Sequence, residues 1–439
     1  MTRRGLPMGL GILAALVLLG GSLLSVLPHS AAIDTPPASQ ETTWVPLFEQ
    51  VWQTVAEKFY DPELNNVNWV AIRQRYQPQV AQARDREAAA AVINSMLAEL
   101  NTSHTRLYIP EEPAYYQVLG IFVPRSSELR DQIQPFLNGT IAYREIGIIT
   151  AQQEGKTFIK AVLDGSPAAA AGLQTGDQIL SVDQQPFHPI RSFAGPAEQS
   201  VTVRIQRTPD PQSQQDVVVT PRLFDGTTMF LDAQSESVAV VEQAGVAIGY
   251  IHIWSYASDQ AQQLLEQELL YGRLKEADAL VLDLREGWGG APMTVLNLYN
   301  DRDLSITNIP RNGNRYTSYS AWQKPVVMLV NEGSRSAKEI LAYAFQQYGI
   351  GTVVGSRTAG AVVAGQPFVM QDGSLLYIAV ADVYIDGNHR LEGVGVTPDV
   401  VVPAPLPYAQ GADPQKERAL AIAAEQVQQG NRSIPAHSS

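Results

Sequence analysis

The stretch Val326-Val327-Met328-Leu329-Val330-Asn331-Glu332-Gly333-Ser334-Arg335-Ser336-Ala337-Lys338-Glu339-Ile340 passes from an uninterrupted apolar run through a turn of glycine and serine into a helical pattern that continues at Leu341, Ala344 and Phe345. A short apolar run bounded by turn residues reads as a buried strand, and strands alternating with helices define an α/β layer. The surroundings repeat the pattern. Val246 to Ile253, Ala279 to Leu284 and Thr352 to Val354 read as strands and Ala257 to Leu274 as a helix, so the chain from about Val238 onward is expected to form a mostly parallel sheet. Such sheets place chemistry just beyond the carboxyl ends of their strands.

Two strand ends carry residues suited to chemistry. Ser336 sits at a strand-to-helix turn, where the amino end of a helix favours developing negative charge, as a nucleophile and oxyanion hole require. The plainer role for such a serine is a helix cap. The strand Ala279 to Leu284 runs into Asp283-Leu284-Arg285-Glu286-Gly287-Trp288-Gly289-Gly290, whose glycines let backbone N–H groups approach a ligand unobstructed or simply make a tight turn.

Working outward, 439 residues imply two or three domains. Arg3 and Arg4 precede an apolar run from Leu6 to Leu27, with small residues at Ser30, Ala31 and Ala32, so residues 1–32 read as a signal peptide or a membrane anchor. An exported protein, periplasmic or extracellular, is expected, with membrane association through residues 6–27 if the leader stays. Residues 33–43, rich in Pro, Ser and Thr, read as a linker. A helical domain is expected over 44–118, with helices from Pro46 to Tyr60, Trp69 to Tyr76 and Arg86 to Leu100. Residues 119–225 change to short alternating runs such as Thr157 to Val162 and Val201 to Ile205, the mark of strands. Residues 226–405 form the α/β core, and 406–439 a surface helix from Pro414 to Gln429 with a polar tail.

Composition excludes several functions. A net charge of -13 without any Lys/Arg run speaks against nucleic acid. The absence of cysteine removes disulfides, thiol nucleophiles and thiolate metal sites. No metal-ligand spacing such as His-Glu-x-x-His, Walker loop or dinucleotide glycine fingerprint occurs, so neither metal nor cofactor is implied.

Gly165-Ser166-Pro167-Ala168, Ala171-Gly172-Leu173 and Gly176-Asp177-Gln178-Ile179-Leu180-Ser181-Val182 resemble a PDZ domain. Such a domain takes an extended polypeptide as an added strand, and the resemblance implies that backbone N–H groups of Ile146, Gly147, Ile148 and Ile149 hold the carboxylate of the polypeptide's C-terminus. Together with the turns at Asp283 to Gly290 and Gly333 to Glu339, and Gly395-Val396-Thr397-Pro398-Asp399, the chain resembles the carboxyl-terminal processing (tail-specific) serine peptidases. The implied architecture is multidomain α/β: a helical domain, a β-rich PDZ-like domain and a crotonase-like α/β peptidase core. By that resemblance Ser336 is the nucleophile, and the N–H groups of Ala337 and Gly289 form the oxyanion hole.

The usual members activate serine with a lysine after a Thr-x-Gly triplet. Here the triplet is Thr358-Ala359-Gly360 and the next residue is Ala361, so that lysine is missing. Lys338 is no substitute, since two residues along a helix points it away from Ser336, and it reads as a solvated charge. A tricorn-core-like branch uses histidine, assisted by a serine and a glutamate. Leu100-Asn101-Thr102-Ser103-His104-Thr105 and Leu391-Glu392-Gly393 supply His104 as base, Ser103 as assistant and Glu392 as orienter. The expected function is hydrolysis of peptide bonds in polypeptide substrates. The alternatives are a peptide-binding pseudopeptidase, which puts His104 and Ser336 far apart, and hydrolysis of small esters by the same triad.

Overall fold

The computed structural model describes residues 43–291, 293–299, 305–308, 316–319 and 322–433. The expected leader (1–32), the linker up to residue 42 and His437 lie outside the described residues.

Helices α1 (Val45–Lys58), α2 (Trp69–Val80) and α3 (Arg86–Ala98) open the chain. In α1 the apolar spacing becomes one buried stripe of Leu47, Phe48, Val51 and Val55. The side chains of Asn68 and Asp85 cap α2 and α3, accepting from the N–H of Ala71 at 3.0 Å and of Ala88 at 2.8 Å. Helix α2 runs past Tyr76 to Val80, whose side chain is fully buried. After a loop carrying Ser103 and His104 come β1 (Arg106–Tyr108), α4 (Pro113–Phe122) and α5 (Ser127–Ile133). Helical structure thus extends beyond residue 119, because Tyr115, Val118 and Leu119 form the buried face of α4.

The β-rich part begins with β2 (Ala142–Glu145) and continues with β3 (Ile148–Gln153), β4 (Lys156–Val162), the short α6 (Pro167–Ala170), β5 (Gln178–Val182), β6 (Val201–Gln206), β7 (Gln214–Val219) and β8 (Arg222–Asp225). Strands β3 to β7 form one antiparallel sheet in chain order, leaving β3 at an edge, while β2 pairs with β8. Ile146, Ile159, Leu173, Val203 and Ile205 fill its core. An open edge strand is where a PDZ-like domain accepts an added strand.

The third part contains α7 (Met229–Ser237), β9 (Ala239–Gln243), β10 (Val246–His252), α8 (Asp259–Leu270), β11 (Ala279–Asp283), β12 (Ser305–Asn308), β13 (Tyr316–Tyr319), β14 (Val326–Val330), α9 (Ala337–Gln347), β15 (Thr352–Gly355), β16 (Ala364–Val369), β17 (Leu375–Ala381), β18 (Val400–Val401) and α10 (Pro414–Ser433). Its sheet has the order β18-β15-β14-β11-β10-β9 and is parallel except for β9. Leu280, Leu282, Met328 and Val330 pack towards α8 and α9; Ala279, Val281, Val327 and Leu329 pack towards α10. Burial on both faces explains why these strands read as unbroken apolar runs. Helix α10, expected on the surface, instead covers a whole face of the sheet: Ala419 and Ala423 are fully buried, and alanine lets the helix approach closely.

The hairpin β16–β17 was not anticipated. Strand β1 pairs antiparallel with β17, Arg106 opposite Tyr377 and Tyr108 opposite Leu375, and the N-terminal helices share one core with Met370, Leu376 and Ile378. This pairing fastens the Ser103–His104 loop to the α/β core.

Candidate active site

The turn that carries Ser336 is built from both ends. Ser334, fully buried, donates to Leu284 O at 2.9 Å and accepts from Asn331 N–H at 3.0 Å, tying the end of β14 to the end of β11. Ser336 follows at φ 59° and ψ −132°, a backbone conformation that L-residues avoid and that usually marks a functional turn. Its N–H donates to Ala361 O at 2.9 Å. Buried Glu339, one turn into α9, accepts from the N–H groups of Ser336 at 3.2 Å, Gly360 at 2.7 Å and Ala361 at 2.7 Å. One carboxylate therefore clamps the Thr358–Ala361 segment against the turn at Ser336. The position where the usual lysine would stand adjoins Ser336 and carries only a methyl group.

The glycine-rich loop closes over this turn. A Cβ built on Gly289 would lie 2.5 Å from Ser336 Cβ, 2.7 Å from Arg335 O and 3.2 Å from Ala337 N, so only glycine fits. Lys338 holds the loop from beneath. Its Nζ donates to Glu286 O at 2.8 Å and Trp254 O at 3.2 Å, and it is wholly buried rather than solvated as expected. Burial brings its pKa down to about 7. The error has a physical cause: backbone carbonyls from two distant loops satisfy the amine. Asp283 and Arg285 are structural too. Arg285 forms a bidentate pair with buried Asp283 and another with Asp413 at the start of α10.

The expected base and its partners come together across the fold. Ser103 Oγ lies 2.9 Å from His104 Nδ1 and donates to Glu392 Oε2 at 2.8 Å. Glu392 also accepts from the N–H of Ser103 and of Val362, each at 2.7 Å. A hydroxyl has one proton, and Ser103 gives it to a carboxylate, so Ser103 must accept from His104 Nδ1–H. That assignment leaves Nε2 unprotonated. Among the described residues nothing hydrogen-bonds it. Burial first, and the charge of Arg335 second, lower the imidazole pKa to about 3, which keeps His104 neutral. His104, Gly289, Gly290, Ser336 and Tyr377 line one cavity of about 220 Å³. His188, His252 and His389 are engaged elsewhere, by Glu87, by Arg285 O and Trp254, and by Tyr343.

Glu392→Gln would put an amide NH₂ where three donors converge. We expect kcat to fall roughly ten- to a hundredfold, the scale of one charge-assisted hydrogen bond. Steady-state kinetics check this, and activity equal to wild type would remove Glu392 from the site.

The loop expected to hold a substrate carboxylate departs from expectation. Gly147 N–H and Ile148 N–H donate to the carboxylate of Glu145 at 2.6 and 3.1 Å, so a resident carboxylate occupies them. Nothing in the glycine and proline punctuation reveals this. Burial pushes the Glu145 pKa up to about 7 against the lowering effect of these bonds. Folding therefore takes up a proton between the ordinary value of 4.5 and about 7, and Glu145 makes stability decline as pH rises through that window. Thermal unfolding of Glu145→Gln between these pH values is expected to lack that part of the decline. An unchanged slope would refute the assignment.

A sheet parallel except for β9, with a serine at a strained strand-to-helix turn, is joined to a PDZ-like domain. The sequence matches peptidase family S41 over residues 247–402, the tricorn protease C1 domain over 40–98 and a PDZ domain over 158–207. A carboxyl-terminal-processing protease of a Picosynechococcus strain is 30% identical over 382 residues, 83% of this chain and 84% of its own. One from a Synechocystis strain is 28% identical over 388 residues, 85% and 84% of the two chains. The crystal structure of the tricorn protease has the same fold over 88% of this chain and 37% of its own, with a TM-score of 0.51 at 19% identity. The chain belongs to the carboxyl-terminal-processing proteases of peptidase family S41.

Proposed function

We propose that this chain is an exported endopeptidase that hydrolyses peptide bonds through a Ser336–His104–Glu392 centre assisted by Ser103. His104 Nε2 takes the Ser336 proton as Oγ attacks the carbonyl, and returns it to the leaving amine. Ser103 and Glu392 hold the imidazole in the required tautomer and stabilise its charged form. The N–H groups of Ala337 and Gly289 receive the oxyanion. The observation that carries this reading is the hydrogen-bonded His104–Ser103–Glu392 relay on a cavity shared with Ser336. A pseudopeptidase would have no need of that convergence.

The edge of β3 takes the polypeptide as an added strand. Capture of a C-terminal carboxylate at Gly147 and Ile148 would require Glu145 to give way. Export rests on Arg3, Arg4 and the apolar run after them.

The test is labelling with a serine-directed fluorophosphonate and mass-spectrometric location of the adduct. Modification of Ser336 alone is expected. A folded protein that takes no label would turn the reading towards a peptide-binding protein.

A further inference from the structure

Arg335 was given no role by the sequence. It is half-buried, directly precedes the nucleophile, and lines two cavities at once. One is the cavity of about 220 Å³ that holds His104 and Ser336. The other, about 560 Å³, reaches from Ala361 to Ile148 and Ile149 of the PDZ-like domain. Arg335 thus stands in the wall between the strand-accepting edge and the nucleophile.

Its charge has no acidic counterpart among the described residues. The guanidinium is held 5.3 Å from the centre of the Trp288 ring, a cation–π contact that orients it without neutralising it. The carboxylates around the larger cavity are engaged by other groups, two of them sharing one lysine. Lys160 Nζ takes Glu286 at 3.0 Å and Glu332 at 3.3 Å, Arg106 takes Glu112 at 2.8 Å, and backbone N–H groups take Glu145. The Arg335 charge is felt by its neighbours: it adds to the lowering of the His104 pKa and works against the rise that burial imposes on Tyr108 and Tyr377. A half-buried guanidinium that meets no acceptor among the described residues, fixed on an aromatic face beside a cavity, is suited to bidentate binding of a carboxylate.

We propose that Arg335 is a substrate-binding residue that receives a carboxylate of the polypeptide, an Asp or Glu side chain or the terminal α-carboxylate, close to the bond presented to Ser336. This inference rests on the peptidase reading for the identity of its ligand as a polypeptide. It makes the enzyme selective for polypeptides that place a carboxylate at that position.

Binding can be measured apart from cleavage. Ser336→Ala protein is titrated with fluorescent ten-residue peptides of equal length: a neutral amidated one, a set with a single Glu scanned through it, and the neutral one with a free C-terminus. The best acidic peptide is expected to bind about tenfold more tightly than the neutral one at low salt, the scale of a charged hydrogen-bonded pair. Arg335→Gln should abolish the difference, and Arg335→Glu should invert it in favour of a Lys-containing peptide. The Glu scan and the free terminus separate the two sources of carboxylate. Equal affinity for neutral and acidic peptides, or a preference that survives Arg335→Gln, would overturn the proposal. Cleavage by the wild-type protein is followed alongside: an acidic preference in binding with no cleavage would remove the peptidase chemistry and leave Arg335 as assigned.

Discussion

Replacing Ser336 by alanine is expected to lower kcat on an internally quenched peptide by a factor on the order of 10⁶, and His104→Ala by a comparable factor. The two losses should not multiply. In the proposed mechanism the imidazole takes the proton of Ser336 and hands it to the leaving amine, so each partner depends on the other, and the double variant should retain the activity of the worse single one. That remainder belongs to substrate binding and the oxyanion hole. The proton assignment on Ser103 supports this coupling, since it presents an unprotonated Nε2 in the cavity that contains Ser336. Kinetics of the three variants check it; a His104→Ala protein of near-normal kcat, or losses that multiply, would require another base.

Gly289→Ala tests the other half of the site. The added methyl would meet Ser336 Cβ at 2.5 Å and the carbonyl oxygen of Arg335 at 2.7 Å, and backbone cannot swing aside as a flexible side chain does. The loop must withdraw from the nucleophile turn, carrying its N–H away from the oxyanion. We expect kcat to drop by about 10² to 10³ with little change in KM, the usual effect of losing one oxyanion donor. Melting curves distinguish a displaced loop from a general loss of structure. A variant with unaltered kcat would exclude Gly289 from the hole.

The strand–turn–helix around Ser336 was legible because its signals are local: a five-residue apolar run, a glycine and serine turn, then helical spacing. Strand β14 occupies the expected residues. The hairpin β16–β17 was hidden because Gly365 and Pro367 argue against a strand, whereas β16 tolerates them at a sheet edge. Missing it also hid the reason His104 reaches the core, which is the pairing of β1 with β17. Helix α10 looked superficial because its buried face is largely alanine. The candidate site residues came from family resemblance more than from pattern. The relay of His104, Ser103 and Glu392 depends on contacts across 289 positions of sequence, which periodicity does not reach. Lys338, Glu145 and Arg335 were misread or passed over for a common reason: a charge takes its meaning from what surrounds it in space.

The backbone of Ser336 also bears on the melting temperature of the chain. A non-glycine residue held at φ 59° and ψ −132° costs the fold roughly 1–3 kcal/mol. Glycine adopts such angles freely, so Ser336→Gly is expected to raise stability by roughly 1 kcal/mol after glycine's own entropy cost, detectable as a higher melting temperature. Serine at this position is thus a standing cost to folding that glycine would not carry.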